Sequence, residues 1–246
     1  MVQLSTPSLR QQQHPLICQL ADCVETVWHQ NLTLEPYHLP EELGYMEGRL
    51  EGEKLVIENK CYQSREFRKI HLELAKVGKS LDIMHCVMFP RTDYALPMFG
   101  TDLVGGRGQI SAAVVDLSPL NSEKKLPQSY SDTLTTLPLN HFSQPRTIPT
   151  WGDIFSEFCL FIRPNGKEEE NRFLKIVESY LTVHCQYATQ QQPVSEAEKV
   201  KIKAAQKYYC QQQQQNDKTR RVLEKAFGVD WADYYINTVL FDYVDE

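Results

Sequence analysis

Phe67-Arg68-Lys69-Ile70-His71-Leu72-Glu73-Leu74-Ala75-Lys76-Val77 decides how the chain is read. Side chains on a β-strand point to opposite faces in turn, so Ile70, Leu72 and Leu74 share one face while Lys69, His71, Glu73 and Ala75 share the other. The first face is apolar and must be covered. The second mixes a cation, an imidazole and a carboxylate. Strand-like alternation extends through Glu41–Val77, as in Lys54-Leu55-Val56-Ile57-Glu58, and two more such runs follow at Ser80–Phe89 and Ala95–Val104. Gly105-Gly106-Arg107-Gly108 then turns the chain into Gln109–Leu117. It sits between two strands with no helix behind it to aim amides at a phosphate, so it reads as a hairpin. An antiparallel meander is the simplest topology, with a further strand in Ser156–Arg163.

Helical patterns flank these strands. Leu16, Leu20, Val24, Val27 and Trp28 lie near the 3.6-residue period within Pro15–Gln30. Phe173, Ile176, Val177, Tyr180, Leu181 and His184 mark one face of a helix that starts near the acidic run Glu168–Glu170. Ser195 and Glu198 have capping-box spacing, Asn216 or Asp217 can cap the next helix, and Gly228 can end it. Trp231–Phe241 is one more amphipathic element, and Pro119–Pro149 is irregular with one short helix. No internal repeat or Pro/Gly-rich linker divides the chain. The order of elements predicts one domain over 1–246, with a central sheet and helices on its faces.

Composition narrows the classes. The 246 residues are 41% hydrophobic and 24% charged, with a formal net charge of −6, which excludes collagen, low-complexity disorder and a membrane protein as the bulk reading. Apolar runs such as Ile83–Pro90, interrupted by His85, fall far short of the ~18 residues of a spanning helix. The first residues lack the pattern of a secretory signal, and a cytoplasmic location is expected. Seven scattered cysteines without a C-x-x-C pair are expected to be reduced, mostly buried thiols. No phosphate loop, dinucleotide fingerprint, H-E-x-x-H or nucleophile elbow occurs, and no cysteine–histidine spacing matches a zinc or iron–sulfur site. Any redox chemistry therefore takes its cofactor or electron source from outside.

What remains is a set of ionisable residues placed on strands. His71 and Glu73 share a face; His85 shares its face with Leu81, Ile83, Val87 and Phe89; Asp102 alternates with Met98, Gly100 and Val104. Each has an ordinary reading: a solvated sheet face, a satisfied core histidine, an edge-strand charge. Their conjunction on three successive strands supports another, in which acids and histidines with displaced pKa values converge to deliver protons near neutral pH. Burial in an apolar row would raise the pKa of Asp102. Residues Lys60 to Lys79 hold six cations against Glu66 and Glu73, a local charge of +4 in an acidic chain. Lys218, Arg220, Arg221 and Lys225 gather a second basic cluster around Asp217 and Glu224. These are solvated faces or a patch that receives an anionic ligand or acidic partner. Nucleic acid fits poorly, given the overall charge and the lack of a recognisable module.

Four stretches resemble the ferredoxin-dependent bilin reductase family: LGYMEGRLEGEKLVIENKCYQSREFRKIHLELAKVGKSLDIMHCVMFP, PMFGTDLVGGRGQISAAVVDLSP, WGDIFSEFCLFIRP and CQQQQQNDKTRRVLEKAFG. The resemblance covers about Leu39–Phe241 and points to the cyanobacterial members that form phycocyanobilin. It implies a three-layer α/β/α sandwich with a central antiparallel sheet and a bilin held between the sheet and the C-terminal helices. It also implies that reduced ferredoxin supplies four electrons one at a time, converting biliverdin IXα to phycocyanobilin with no cofactor bound in the enzyme. By this resemblance the D-ring vinyl is expected to be reduced before the A-ring, through bilin radicals.

By the same resemblance, Asp102 is the central aspartate that protonates the bilin, and His85 works with it. Glu73 serves the D-ring vinyl, and His71 supports the network. Arg146 and Lys218 contact the propionates, with Asn216 and Asp217 in the same loop beside the pocket. Because ferredoxins are acidic, Lys69, Lys76, Arg220, Arg221 and Lys225 are expected to form a basic rim. The expected protein is a monomer that binds neither membrane nor nucleic acid. A non-catalytic bilin-binding protein, or a relative with another bilin product, is the competing expectation.

Overall fold

The computed structural model describes residues 8–243. Helix α1 (Pro15–Asn31) opens on a proline, whose missing N–H costs nothing in a first turn, and the Nδ1 of His14 accepts from the Leu16 amide at 3.2 Å. The strands follow: β1 (Glu35–Pro36), β2 (Tyr45–Leu50), β3 (Glu53–Gln63), β4 (Phe67–Val77), β5 (Leu81–Pro90), β6 (Met98–Gly106) and β7 (Gln109–Ser118). After α2 (Gln128–Leu134) comes the three-residue β8 (Leu160–Ile162), then α3 (Gly166–Gln190), α4 (Glu196–Gln213), α5 (Asp217–Phe227) and α6 (Val229–Tyr235). The chain continues from α6 into a π-helical turn, Ile236–Leu240.

All pairings are antiparallel, in the order β1-β3-β4-β5-β6-β7-β8, with β2 also paired to β3. The expected meander is thus present from β3 to β7. Its last hairpin turns on Arg107 (φ 52°) and Gly108 (φ 77°). Two successive positive φ angles match the right-handed twist of the flanking strands, and a glycine at the second makes that conformation cheap.

Each face of the sheet carries its own core. On one, Ile70, Leu72 and Leu74 of β4, Met84, Cys86 and Met88 of β5, and Val115 and Leu117 of β7 pack with Leu20, Val24 and Trp28 of α1 and Phe173, Val177 and Tyr180 of α3. On the other, Leu55, Ile57, Ala75, Val87 and Phe89 pack with Ile202 and Tyr209 of α4, Leu223 of α5, Ala232 and Tyr235 of α6, and Val239 and Leu240 of the π turn. Side chains of this size each contribute about 1.5–3 kcal/mol when removed from water, so both helical layers are held by burial. The result is the expected α/β/α sandwich.

Two local expectations change. Ser156–Arg163 shortens to β8, because Ser156 instead turns inward, its amide and hydroxyl bonded to the buried Asp116 carboxylate. The single element expected over Trp231–Phe241 divides into α6 and the π turn. Gly228, with φ 93°, ends α5 and starts α6 at once. The seven cysteines are free thiols, three buried and four half-buried. Among the described residues no helix is long and apolar enough to cross a membrane.

Candidate active site

Strand register brings the expected residues into one line. Asn59 on β3 stands opposite Glu73 on β4, Glu73 opposite His85 on β5, and His85 opposite Asp102 on β6. Directly opposed residues in antiparallel pairs project to the same face with Cβ atoms about 5 Å apart, so the row needs no further device to assemble. His71 lies in the next row, opposite Val87, which is itself opposite Gly100. This is the face covered by α4, α5 and α6.

Within the row, His85 Nδ1 lies 2.5 Å from Asp102 Oδ1. The Asp102 side chain is 43% exposed and thus is not the buried, unpaired carboxylate the alternation suggested; its partner is His85. The His71 and His85 rings meet edge to face, 5.8 Å between centroids, and Phe241, just beyond the π turn, packs edge-on against His85 at 5.6 Å. Tyr235 donates its hydroxyl to Glu73 and also meets Asn59, while His71 Nε2 lies 2.8 Å from Asn59 Oδ1. Opposite Gly100, a methyl in place of the glycine hydrogen would stand 3.4 Å from the Tyr209 hydroxyl, so that ring lies close above the sheet beside Asp102.

Burial and charge divide the four groups. Burial raises the Glu73 pKa above the ordinary carboxyl range, against the opposing pull of His85 and Tyr235. Burial alone would lower His85, but the Asp102 charge and hydrogen bond, aided by Glu73, outweigh it and raise the imidazole. Burial holds His71 well below an ordinary histidine, and the neighbouring charges of Lys69 and His85 add to that. The site therefore contains a carboxyl inclined to keep its proton, an imidazole inclined to hold one and an imidazole inclined to stay neutral. Groups pushed apart in this way are suited to acid–base work near pH 7. Among the described residues no three of His, Cys, Asp and Glu stand close enough to hold a metal ion.

The candidate propionate contacts lie elsewhere. Arg146 is exposed, its Nη1 bonded to the Ser111 carbonyl of β7 at 2.7 Å and its guanidinium over the Phe161 ring of β8. Asn216 caps α5 by accepting from the Lys218 amide; Asp217 pairs with Arg221, and Lys218 is exposed. Phe227, at the far end of α5, covers Gly48 of β2. Arg146 is thus anchored at the β7–β8 edge of the sheet, whereas α5 packs over the edge formed by β2.

The basic rim needs correction at two positions. Lys69 is fully buried: its Nζ donates to the Val239 carbonyl at 2.8 Å, pairs with Asp242 and lies over the Phe89 ring. Lys76 points to the opposite face and pairs with Asp82 at 2.6 Å, close to the start of α1. Lys69 shares its face with the buried His71, and the π turn covers it through the Val239 carbonyl. Three residues escaped the sequence reading. Asn59 shares an alternation with Leu55 and Ile57, a detectable polar interruption. Nothing in the sequence separates Tyr235 or Phe241 from the other aromatics of the last helix.

Residues 21–242 match the family model described as ferredoxin-dependent bilin reductase. The chain belongs to this family. It is 64% identical over 242 residues to a phycocyanobilin:ferredoxin oxidoreductase of Trichodesmium erythraeum, covering 98% of this chain and 99% of that one. It is 59% identical to the protein of the same name from Synechococcus elongatus, over 95% of each. Among solved structures it resembles phytochromobilin synthase from tomato, determined in complex with biliverdin. That likeness has a TM-score of 0.75 over 90% of this chain and 81% of the other; at 15% identity it speaks to the fold. As a member of the bilin reductase family, the chain is an oxidoreductase.

Proposed function

We propose that the chain reduces biliverdin IXα to phycocyanobilin with four electrons from reduced ferredoxin, the D-ring vinyl first and then the A-ring, each electron followed by a proton. The observation that carries this reading is the row Glu73, His85 and Asp102, aligned across three strands beneath the C-terminal helices. Ferredoxin delivers electrons but no protons, so each reduced bilin radical needs an acid within hydrogen-bond reach. Asp102, the most exposed of the row, meets the conjugated system and shares a proton with His85. Glu73, whose pKa burial raises, serves the D-ring vinyl, and His71 supports the network through Asn59 on one side and the His85 ring on the other. Arg146, reaching in from the β7–β8 edge, and Lys218, in the first turn of α5 and not at the end that packs on β2, are exposed and cationic and take one propionate each, with Asn216 and Asp217 shaping the turn beside Lys218.

Four titratable groups on one face favour this over a bilin carrier, which would hold the pigment without proton donors. The deciding experiment is anaerobic incubation with biliverdin IXα and reduced ferredoxin, followed by absorption and by chromatography of the product. Phycocyanobilin is the expected product; biliverdin recovered unchanged would leave a carrier, and a different bilin would leave a relative with other regiochemistry.

With Lys69 and Lys76 excluded, a rim for an acidic ferredoxin rests on Arg220, Arg221 and Lys225. Each is also paired with an acid: Asp233, Asp217 and Glu51 respectively. The residual field is modest, so turnover at subsaturating ferredoxin is expected to slow several-fold as salt rises through the Debye-screening range. A rate indifferent to ionic strength would remove the rim from the account.

A further inference from the structure

Asn59 sits where the two halves of the proton network meet, and its amide can face only one way. Its Nδ2 donates to the Leu43 backbone carbonyl at 2.7 Å. A carbonyl oxygen only accepts, so the nitrogen must point there and Oδ1 must point into the site. There Oδ1 lies 2.8 Å from His71 Nε2 and 3.0 Å from the Tyr235 hydroxyl, while Nδ2 also reaches that hydroxyl at 2.9 Å. An amide oxygen has two lone pairs and no proton. If His71 carried its proton on Nδ1 instead, two lone pairs would face each other across 2.8 Å in a fully buried site. The His71 Nδ1 atom is itself buried and has no hydrogen-bond partner, nor has His85 Nε2.

We infer that Asn59 is a positioning residue that holds His71 as its Nε2–H tautomer and so keeps Nδ1 bare as the proton-accepting atom of that ring. The function assigned to this atom rests on the reductase reading above; the tautomer itself does not. The arrangement is insensitive to Glu73. When Glu73 is ionised, the Tyr235 hydroxyl donates to it and accepts from Asn59 Nδ2. When Glu73 is protonated, it can donate to the Tyr235 oxygen while that hydroxyl turns to Asn59 Oδ1. In either state the second lone pair of Oδ1 remains for His71. Glu73 can therefore give up and regain its proton without disturbing the His71 ring.

The test uses the whole ligand-free chain labelled with [15N]histidine, with long-range proton–nitrogen NMR spectra assigned at position 71 by the His71→Gln variant. The unaltered protein is expected to show a single tautomer, protonated at Nε2. A proton on Nδ1, or an average of the two forms, would overturn the inference with no variant needed. In Asn59→Ala the two tautomers should average, and Asn59→Asp, which keeps an oxygen opposite Nε2, should restore one. In turnover, Asn59→Ala is expected to lower kcat about tenfold with the KM for biliverdin changed less than about twofold. A persisting single tautomer or an unchanged kcat in that variant would also refute the inference. Absence of turnover in the unaltered chain would refute the reductase reading and leave the tautomer result standing.

Discussion

Glutamine at position 73 is expected to reduce phycocyanobilin formation by at least about 100-fold while biliverdin still binds, the lower end of what a general acid contributes. The change is isosteric, and a glutamine oxygen can still accept the Tyr235 hydroxyl that now bonds to the carboxylate. Packing beneath α6 should therefore survive. What disappears is the carboxyl proton, at a position where burial raises the pKa and only 7% of the residue is exposed. The pigment recovered under limiting ferredoxin should retain its D-ring vinyl. Chromatography of the extracted bilin reads this directly, and a normal phycocyanobilin yield from Glu73→Gln would remove the residue from the mechanism.

Asp102→Asn is expected to be at least as damaging, with a loss in turnover of about 10²- to 10⁴-fold. It removes a carboxyl group and, in the same stroke, the charge and hydrogen bond that raise the His85 pKa. The sign of the accompanying stability effect is fixed. His85 has a raised pKa in the folded protein, so its contribution is fully present below the unfolded value of about 6.5 and is lost as pH rises through the folded value. In the variant the largest opposing influence is gone, and burial shifts the ring toward its neutral form. The stability gap between unaltered protein and variant should therefore widen as pH falls from 8 toward 6 in denaturant titrations. A gap that stayed constant would mean that the 2.5 Å contact carries no proton linkage.

Much of this site was legible beforehand, for a geometric reason. Alternation along β4, β5 and β6 states which side chains share a face, and a meander of adjacent strands leaves little freedom in what stands opposite what. The period gives Glu73, His85 and Asp102 a face on each of three successive strands and so allows them to converge; the register then sets them opposite one another, and their assigned chemistry comes from the family resemblance. Burial was less legible, because it depends on what lands on the sheet from elsewhere in the chain. Lys69 reads as a surface cation until the Val239 carbonyl and Asp242 are laid over it. Asp102 reads as buried until the helices are seen to leave it 43% exposed. Asn59 and Tyr235 are joined across 176 positions, a separation over which no local pattern operates.

The Lys69–Asp242 clasp also bears on how the molecule comes into being. Lys69 is translated early, yet the acid that neutralises it lies 173 positions later, and Glu73 waits 162 positions for its tyrosine. A nascent chain whose sheet has already formed would leave Glu73 and His71 open to water on its uncovered face, each titrating much as it would in a peptide. Only when the last helices dock does burial displace the acidities of Glu73 and His71. Maturation of the proton supply and completion of folding are then the same event, so a lesion in the C-terminal helices should yield a chain with an intact sheet and no chemistry.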